Sequence, residues 1–87
     1  MPKSLIEFEI VSLVRKKRKN LNMSQAKIAA LIQVSAGYIG QIEMQSSDSM
    51  YSYDQLNRLA LLFNCSPKEF LPEEPIESLI SETAPPE

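Results

Sequence analysis

Apolar residues recur along this chain at three- and four-residue intervals, the period of helices with one buried face. Over residues 4–20, Ile10, Val14 and Leu21 fall at core-facing intervals, and Ser4 with Glu7 fits a capping box, so a first helix is predicted there. The alternation Ile6-Glu7-Phe8-Glu9-Ile10 also suits a short strand or arm pairing with a second subunit. Ser24 is a good N-cap with Gln25 opening a helix, and Ile28, Ala29 and Ile32 share one face of it. Val34 breaks that pattern, Ser35 offers another N-cap, and Ile39 and Ile42 begin a new apolar stripe. Ser52 and Gln55 fit a second capping box ahead of Leu56, Leu59, Ala60 and Phe63, with Asn64 as a stop. Ser66 and Glu69 fit a third, with Pro67 at the first helical position, Phe70 and Leu71 closing the turn and Pro72 ending it. The pattern predicts an all-α bundle of five helices.

The connections are short. Asn20 or Asn22 is placed to end the first helix in a left-handed conformation, and Met44 to Tyr51 reads as a polar loop without periodicity. The closing PEEPIESLISETAPPE is rich in Pro and Glu and is expected to be disordered. Within it, Ile76, Leu79 and Ile80 have the spacing of one or two helical turns that could dock on the domain or on another subunit. The expected division is a domain over residues 1–71 and an acidic, Pro-rich tail over 72–87.

Composition changes the picture in two ways. The net charge is −2, but residues 1–71 hold all nine Lys and Arg against six acids, a net of +3, and the tail holds the other five acids. Five of the nine bases are packed into Arg15 to Lys19, so the domain is mildly basic and the acidity belongs to the tail. Second, 87 residues at 44% hydrophobic content suffice for one modest core. No run is long enough to span a bilayer, and MPKSLIEFEI lacks the basic-then-apolar order of a signal peptide, so the cytoplasm is the expected compartment. Cys65 is the single cysteine, sits on an apolar helix flank and reads as a small core residue. Without histidine, a Cys cluster, a Gly-rich phosphate loop or a nucleophile–base pair, neither catalysis nor a bound cofactor or metal is expected.

The stretch from Ser24 to Glu43 has a cap, an apolar face, about three linking residues, a second cap and a second apolar face, the plan of a helix-turn-helix. The small Ala29 allows the second helix to cross close to the first. Gln25, Ala29, Val34, Ser35, Tyr38, Ile39, Ile42 and Glu43 resemble, without a gap, the Cro and phage-repressor (XRE-type, lambda-repressor-like) helix-turn-helix family. The resemblance extends to Arg18 upstream and to Ser66-Pro67-Lys68-Glu69-Phe70-Leu71 downstream. Two positions depart from the family. Gln33 stands where the turn usually holds Gly, which implies a left-handed or bridge conformation for a non-Gly residue. Ala36 and Gly37 stand where relatives often carry polar or basic side chains.

The resemblance implies a transcriptional regulator of repressor type that binds double-stranded DNA, with the helix over 35–43 in the major groove. It implies a structural ion pair between Arg18 and Glu43, which leaves Arg15, Lys16, Lys17 and Lys19 either to face phosphates or to form a solvated helix face. Gln41 is the expected base reader, because its amide can both donate to and accept from adenine. Ala36 and Gly37 match the other base-facing positions, the first able to touch a thymine methyl and the second permitting close approach. Gln25 and Ser35, at helix starts, and Lys27, Tyr38, Gln45 and Ser46, by position, are the expected phosphate contacts, with Tyr38 equally suited to partial core packing and able to do both. One motif covers only a short stretch of groove, so a homodimer on two half-sites roughly 34 Å apart is expected. The stretch from Ser35 to Gln41 carries no positive charge. The alternative is therefore a protein-interaction module of antitoxin or repressor-antagonist type, meeting a protein partner through the acidic tail.

Overall fold

The computed structural model describes residues 2–77, and serine hydroxyls start each regular element between residues 5 and 70. Ser4, Ser24, Ser35 and Ser52 are the N-caps of α1 (Leu5–Asn20), α2 (Gln25–Leu31), α3 (Ala36–Ile42) and α4 (Tyr53–Phe63). In each the hydroxyl accepts a hydrogen bond from the amide three residues on, satisfying a donor that the helix leaves open. Glu7 and Gln55 return the bond to their cap residues, completing two capping boxes. The class is all-α, with residues 6–10 inside α1 rather than in a strand.

The expected fifth helix is instead a single 3-10 turn, Pro67–Phe70. Ser66 caps it by accepting from Lys68 N rather than from Glu69 N, so the full box does not form, while the Glu69 carboxylate is shared between the Ser66 backbone and Lys17 Nζ, the latter at 2.6 Å. Over residues 5–70, four α-helices and a turn therefore stand where five helices were expected. Leu79 and Ile80, the apolar pair of the tail, lie outside the described residues.

Three connections close in the same way. Asn22 (φ 58°), Gln33 (φ 63°) and Asn64 (φ 57°) adopt the left-handed conformation, and the following amide reaches back to the helix. Met23 N donates to Arg18 O, Val34 N to Ala29 O and Cys65 N to Ala60 O, at 2.9–3.0 Å. This is the Schellman closure that usually employs glycine. Asn tolerates the conformation, whereas for Gln33 it costs about 1–2 kcal/mol.

The core draws on every element: Val11 and Val14, Ile28, Ala29 and Ile32, Ile39 and Ile42, Leu59, Ala60 and Phe63, and Phe70. Phe63 and Phe70 meet edge to face with ring centroids 6.2 Å apart, which seats the 3-10 turn on α4. In α1 the buried stripe is Val11, Val14 and Arg18 rather than Ile10, Val14 and Leu21. Ile10 is only half-buried, and Leu21 is 43% exposed because the helix has already ended before it. Tyr51, at the end of the stretch read as a polar loop, is also buried in this core. Cys65 packs against its edge, and burial pushes its thiol up from the usual value. No helix among the described residues is long and apolar enough to cross a membrane.

Candidate nucleic-acid interface

The inner ends of α1, α2 and α3 converge on one carboxylate. Glu43 follows α3 directly, and Arg18 from α1 donates to it through Nε (3.0 Å, to Oε2) and Nη2 (2.9 Å, to Oε1). Gln25 Nε2, from the first turn of α2, donates to Oε1 at 3.0 Å, and Arg15 Nε lies 3.4 Å from the same oxygen. The remaining Arg18 nitrogen, Nη1, donates to Met23 O at 2.8 Å, in the connection between α1 and α2. Both charged side chains are less than a tenth exposed. A planar guanidinium on a planar carboxylate fixes angle as well as distance, so α3 is held in orientation and not merely in place. Ile39 and Ile42, fully buried on the inner side of α3, fix its rotation about its own axis.

That rotation sets what α3 presents outward. Ala36, Gly37 and Gln41 are exposed, and a Cβ added to Gly37 would meet nothing within 4 Å. Gln41 accepts at Oε1 from the Ser49 hydroxyl at 3.4 Å, a long bond that leaves its amide turned to solvent beside the following loop. Gly40 lies under Gln25, whose Oε1 would be in ordinary contact at 3.6 Å with a side chain there. Ser35 accepts from Tyr38 N at 3.0 Å and can still donate its hydroxyl hydrogen outward. Lys27 stands exposed in the first turn of α2, and Gln45 and Ser46 are exposed in the turn after α3.

Several of the expected positions also make contacts within the fold. Gln25 directs its amide nitrogen at Glu43 rather than at solvent. Tyr38 is half-buried, and its hydroxyl donates to Met50 O at 3.1 Å, tying α3 to the loop before α4. Within the basic run, Lys17 is paired with Glu69 and Arg15 leans on Glu43, while Lys16 and Lys19 remain exposed.

One residue of the site carried no signal in the sequence. Lys3, ahead of the first helix, is 6% exposed and donates through Nζ to Met44 O (2.7 Å) and Ser47 O (2.8 Å). Gln41 O lies 3.5 Å from the same ammonium, and Lys3 N donates to Gln45 O at 3.2 Å. Burial lowers the Lys3 pKa, against the opposing pull of Glu7 and Asp48. A lone lysine before a helix has no periodicity to betray it, since its partners are backbone carbonyls some forty residues on.

The profile of the helix-turn-helix family matches residues 14–70. No curated protein matches the sequence significantly. Among solved structures, hydroxypropylphosphonic acid epoxidase from S. wedmorenis is 18% identical at a TM-score of 0.68, over 80% of this chain and 36% of that one. This chain thus spans about a third of the epoxidase's length. The restriction-modification controller protein C.AhdI from Aeromonas hydrophila is 22% identical at a TM-score of 0.62, over 74% of this chain and 94% of that one. Both likenesses are of fold.

Proposed function

We propose that this chain, which belongs to the XRE-type helix-turn-helix family of DNA-binding transcription regulators, is a sequence-specific repressor that reads the major groove with α3. The observation that carries this reading is the Glu43 junction, which orients α3 from its buried side and leaves Ala36, Gly37 and Gln41 on the side that faces outward. Gln41 supplies the directional base contact, Ala36 a methyl contact, and Gly37 room for the backbone to approach. Lys27, the Ser35 hydroxyl and the Gln45–Ser46 turn face the phosphates on either side. A homodimer doubles the short site that one α3 can cover, and bound over a promoter it blocks transcription. The DNA-binding domain ends at Leu71, the acidic tail follows, and the work is done in the cytoplasm. A protein-interaction role is the second reading, favoured by the absence of any charged side chain from Ala36 to Ile42.

The experiment is selection of bound duplexes from a random library at low salt, with the parent and two variants. The parent is expected to select a motif. Gln41→Ala should relax one base position, worth about 1–3 kcal/mol of discrimination, and leave the salt dependence unchanged because no phosphate contact is lost. Gly37→Ala should raise stability by up to about 1 kcal/mol through helix propensity, and yet bind more weakly if the helix backbone lies close to the bases. A parent that shows no affinity for duplex DNA at low salt would shift the reading to the protein-interaction role.

A further inference from the structure

The Lys3 site sits at the end of α3 opposite its capped start, where the helix carries partial negative charge. Gln41 O and Met44 O belong to that end, and Gln45 O and Ser47 O to the turn that follows. Gln41 O and Met44 O each accept one backbone amide already, from Met44 N and Ser47 N, which leaves their second lone pairs and the dipole of the helix end to be compensated. Gln41 O, Met44 O and Ser47 O are drawn together under the Lys3 ammonium, and Gln45 O accepts from the Lys3 main-chain amide. The turn is thereby held with the Gln45 and Ser46 side chains exposed on its outer side. A compact ammonium with rotatable donors suits several carbonyls converging from different directions, which a planar guanidinium does not.

From this geometry we infer that Lys3 is a positioning residue for DNA binding. It preorganises the 44–47 turn and neutralises the negative end of α3 without itself touching DNA. The inference rests on the DNA-binding reading and deepens it. The chain ahead of α1 is then a strut of the recognition apparatus, and the cost of ordering the turn is met on folding rather than on binding.

This separates two kinds of lysine. An exposed lysine at a phosphate releases counterions, so its loss lowers the salt slope of the affinity by about one. Lys3 is buried and releases none. The test compares the full-length parent, Lys3→Met and Lys27→Ala on random-sequence duplex DNA across a range of salt, at a temperature where circular dichroism shows all three folded. Lys3→Met should weaken binding about tenfold with the parental salt slope, since an ordering cost near 1.4 kcal/mol is moved to the binding step. Amide hydrogen exchange at residues 44–49 of the free variant should quicken more than in α1 or α4. Lys27→Ala should lower the slope instead. Should Lys3→Met fail to fold, Lys3→Gln keeps two donors without the charge and should show the same pattern with a loss of about threefold.

Binding of the variant equal to the parent overturns the inference and leaves the DNA-binding reading standing. So does a loss accompanied by a lower salt slope, because Lys3 would then be an ordinary phosphate contact. A parent that does not bind DNA at all overturns both.

Discussion

Two consecutive residues of α1 each reach a carboxylate distant in sequence, and the two pairs are unlike in everything except charge. Arg18 and Glu43 are 7% and 5% exposed, and their pair is bidentate and supplemented by Gln25, Arg15 and Met23 O. Lys17 and Glu69 are 31% and 47% exposed and share a single bond of 2.6 Å. One step along the helix turns a side chain by about 100°, which carries it from the packed side of the helix to its rim. The shorter distance belongs to the weaker pair. In water a 2.6 Å contact competes with hydration and with the entropy of two long side chains, whereas in the interior the alternative to pairing is an unsolvated charge. What the buried pair secures is the setting of α3, and what the exposed pair secures is little more than the lean of the 3-10 turn against α1.

The largest expected effect follows from that difference. Arg18→Met or Glu43→Ala alone should cost about 3–5 kcal/mol, because the partner is left buried and unpaired. Replacing both with apolar residues should cost much less and give a large coupling in a double-mutant cycle followed by urea denaturation. The double variant then also reports on function. If it regains stability but not DNA affinity, the pair acts by orienting α3. Coupling near zero would remove the distinction between the two pairs altogether.

How much of this could be read from the sequence divides along the same line. The serine caps, Asn64 as the end of α4 and the two apolar stripes of α2 and α3 are local, written within four residues of where they act, and each is found in the structure. The left-handed turn at Gln33 and the position of Glu43 opposite Arg18 were legible only through likeness to a family, since neither residue type demands its role. Lys3, Tyr51 and the inward turn of Gln25 were not legible, because each depends on what tertiary packing brings to it. Glu69 was legible only in part, for the converse reason. The capping pattern is half realised: the carboxylate keeps the Ser66 backbone but also takes Lys17, and the tighter 3-10 turn moves the Ser66 hydroxyl onto Lys68 N.

Tyr51 supplies an intermediate case, a buried polar group beside the Arg18–Glu43 pair that is not satisfied. Its hydroxyl finds no hydrogen-bond partner among the described residues, and burial pushes the phenol well above its usual range, with Glu43 adding to the rise and Arg18 opposing it. An unpaired buried hydroxyl is a net cost, so Tyr51→Phe should stabilise the protein by up to about 1 kcal/mol. Thermal denaturation measures it. A loss of similar size would mean that a bridging water joins the hydroxyl to the pair, which would enlarge the buried network rather than leave a gap in it.

The smallest effect is expected at the exposed pair, and its pH dependence identifies it. The hydrogen bond from Lys17 holds the Glu69 carboxyl below its ordinary value of 4.5, so the stability it contributes is present above that value and is lost as pH falls through the depressed one. The same bond holds Lys17 above its ordinary 10.5, so its contribution is present below that value and is lost as pH rises through the elevated one. The pair therefore adds a plateau between roughly pH 4.5 and 10.5, low because both groups are exposed and screened by salt. Glu69→Gln should lower the thermal midpoint slightly at neutral pH and low salt. The difference from the parent should vanish at 1 M salt and again in acid. Persistence of the difference in high salt would show that this pair is shielded from solvent as the Arg18–Glu43 pair is, and the 3-10 turn would then be as firmly set against α1 as α3 is.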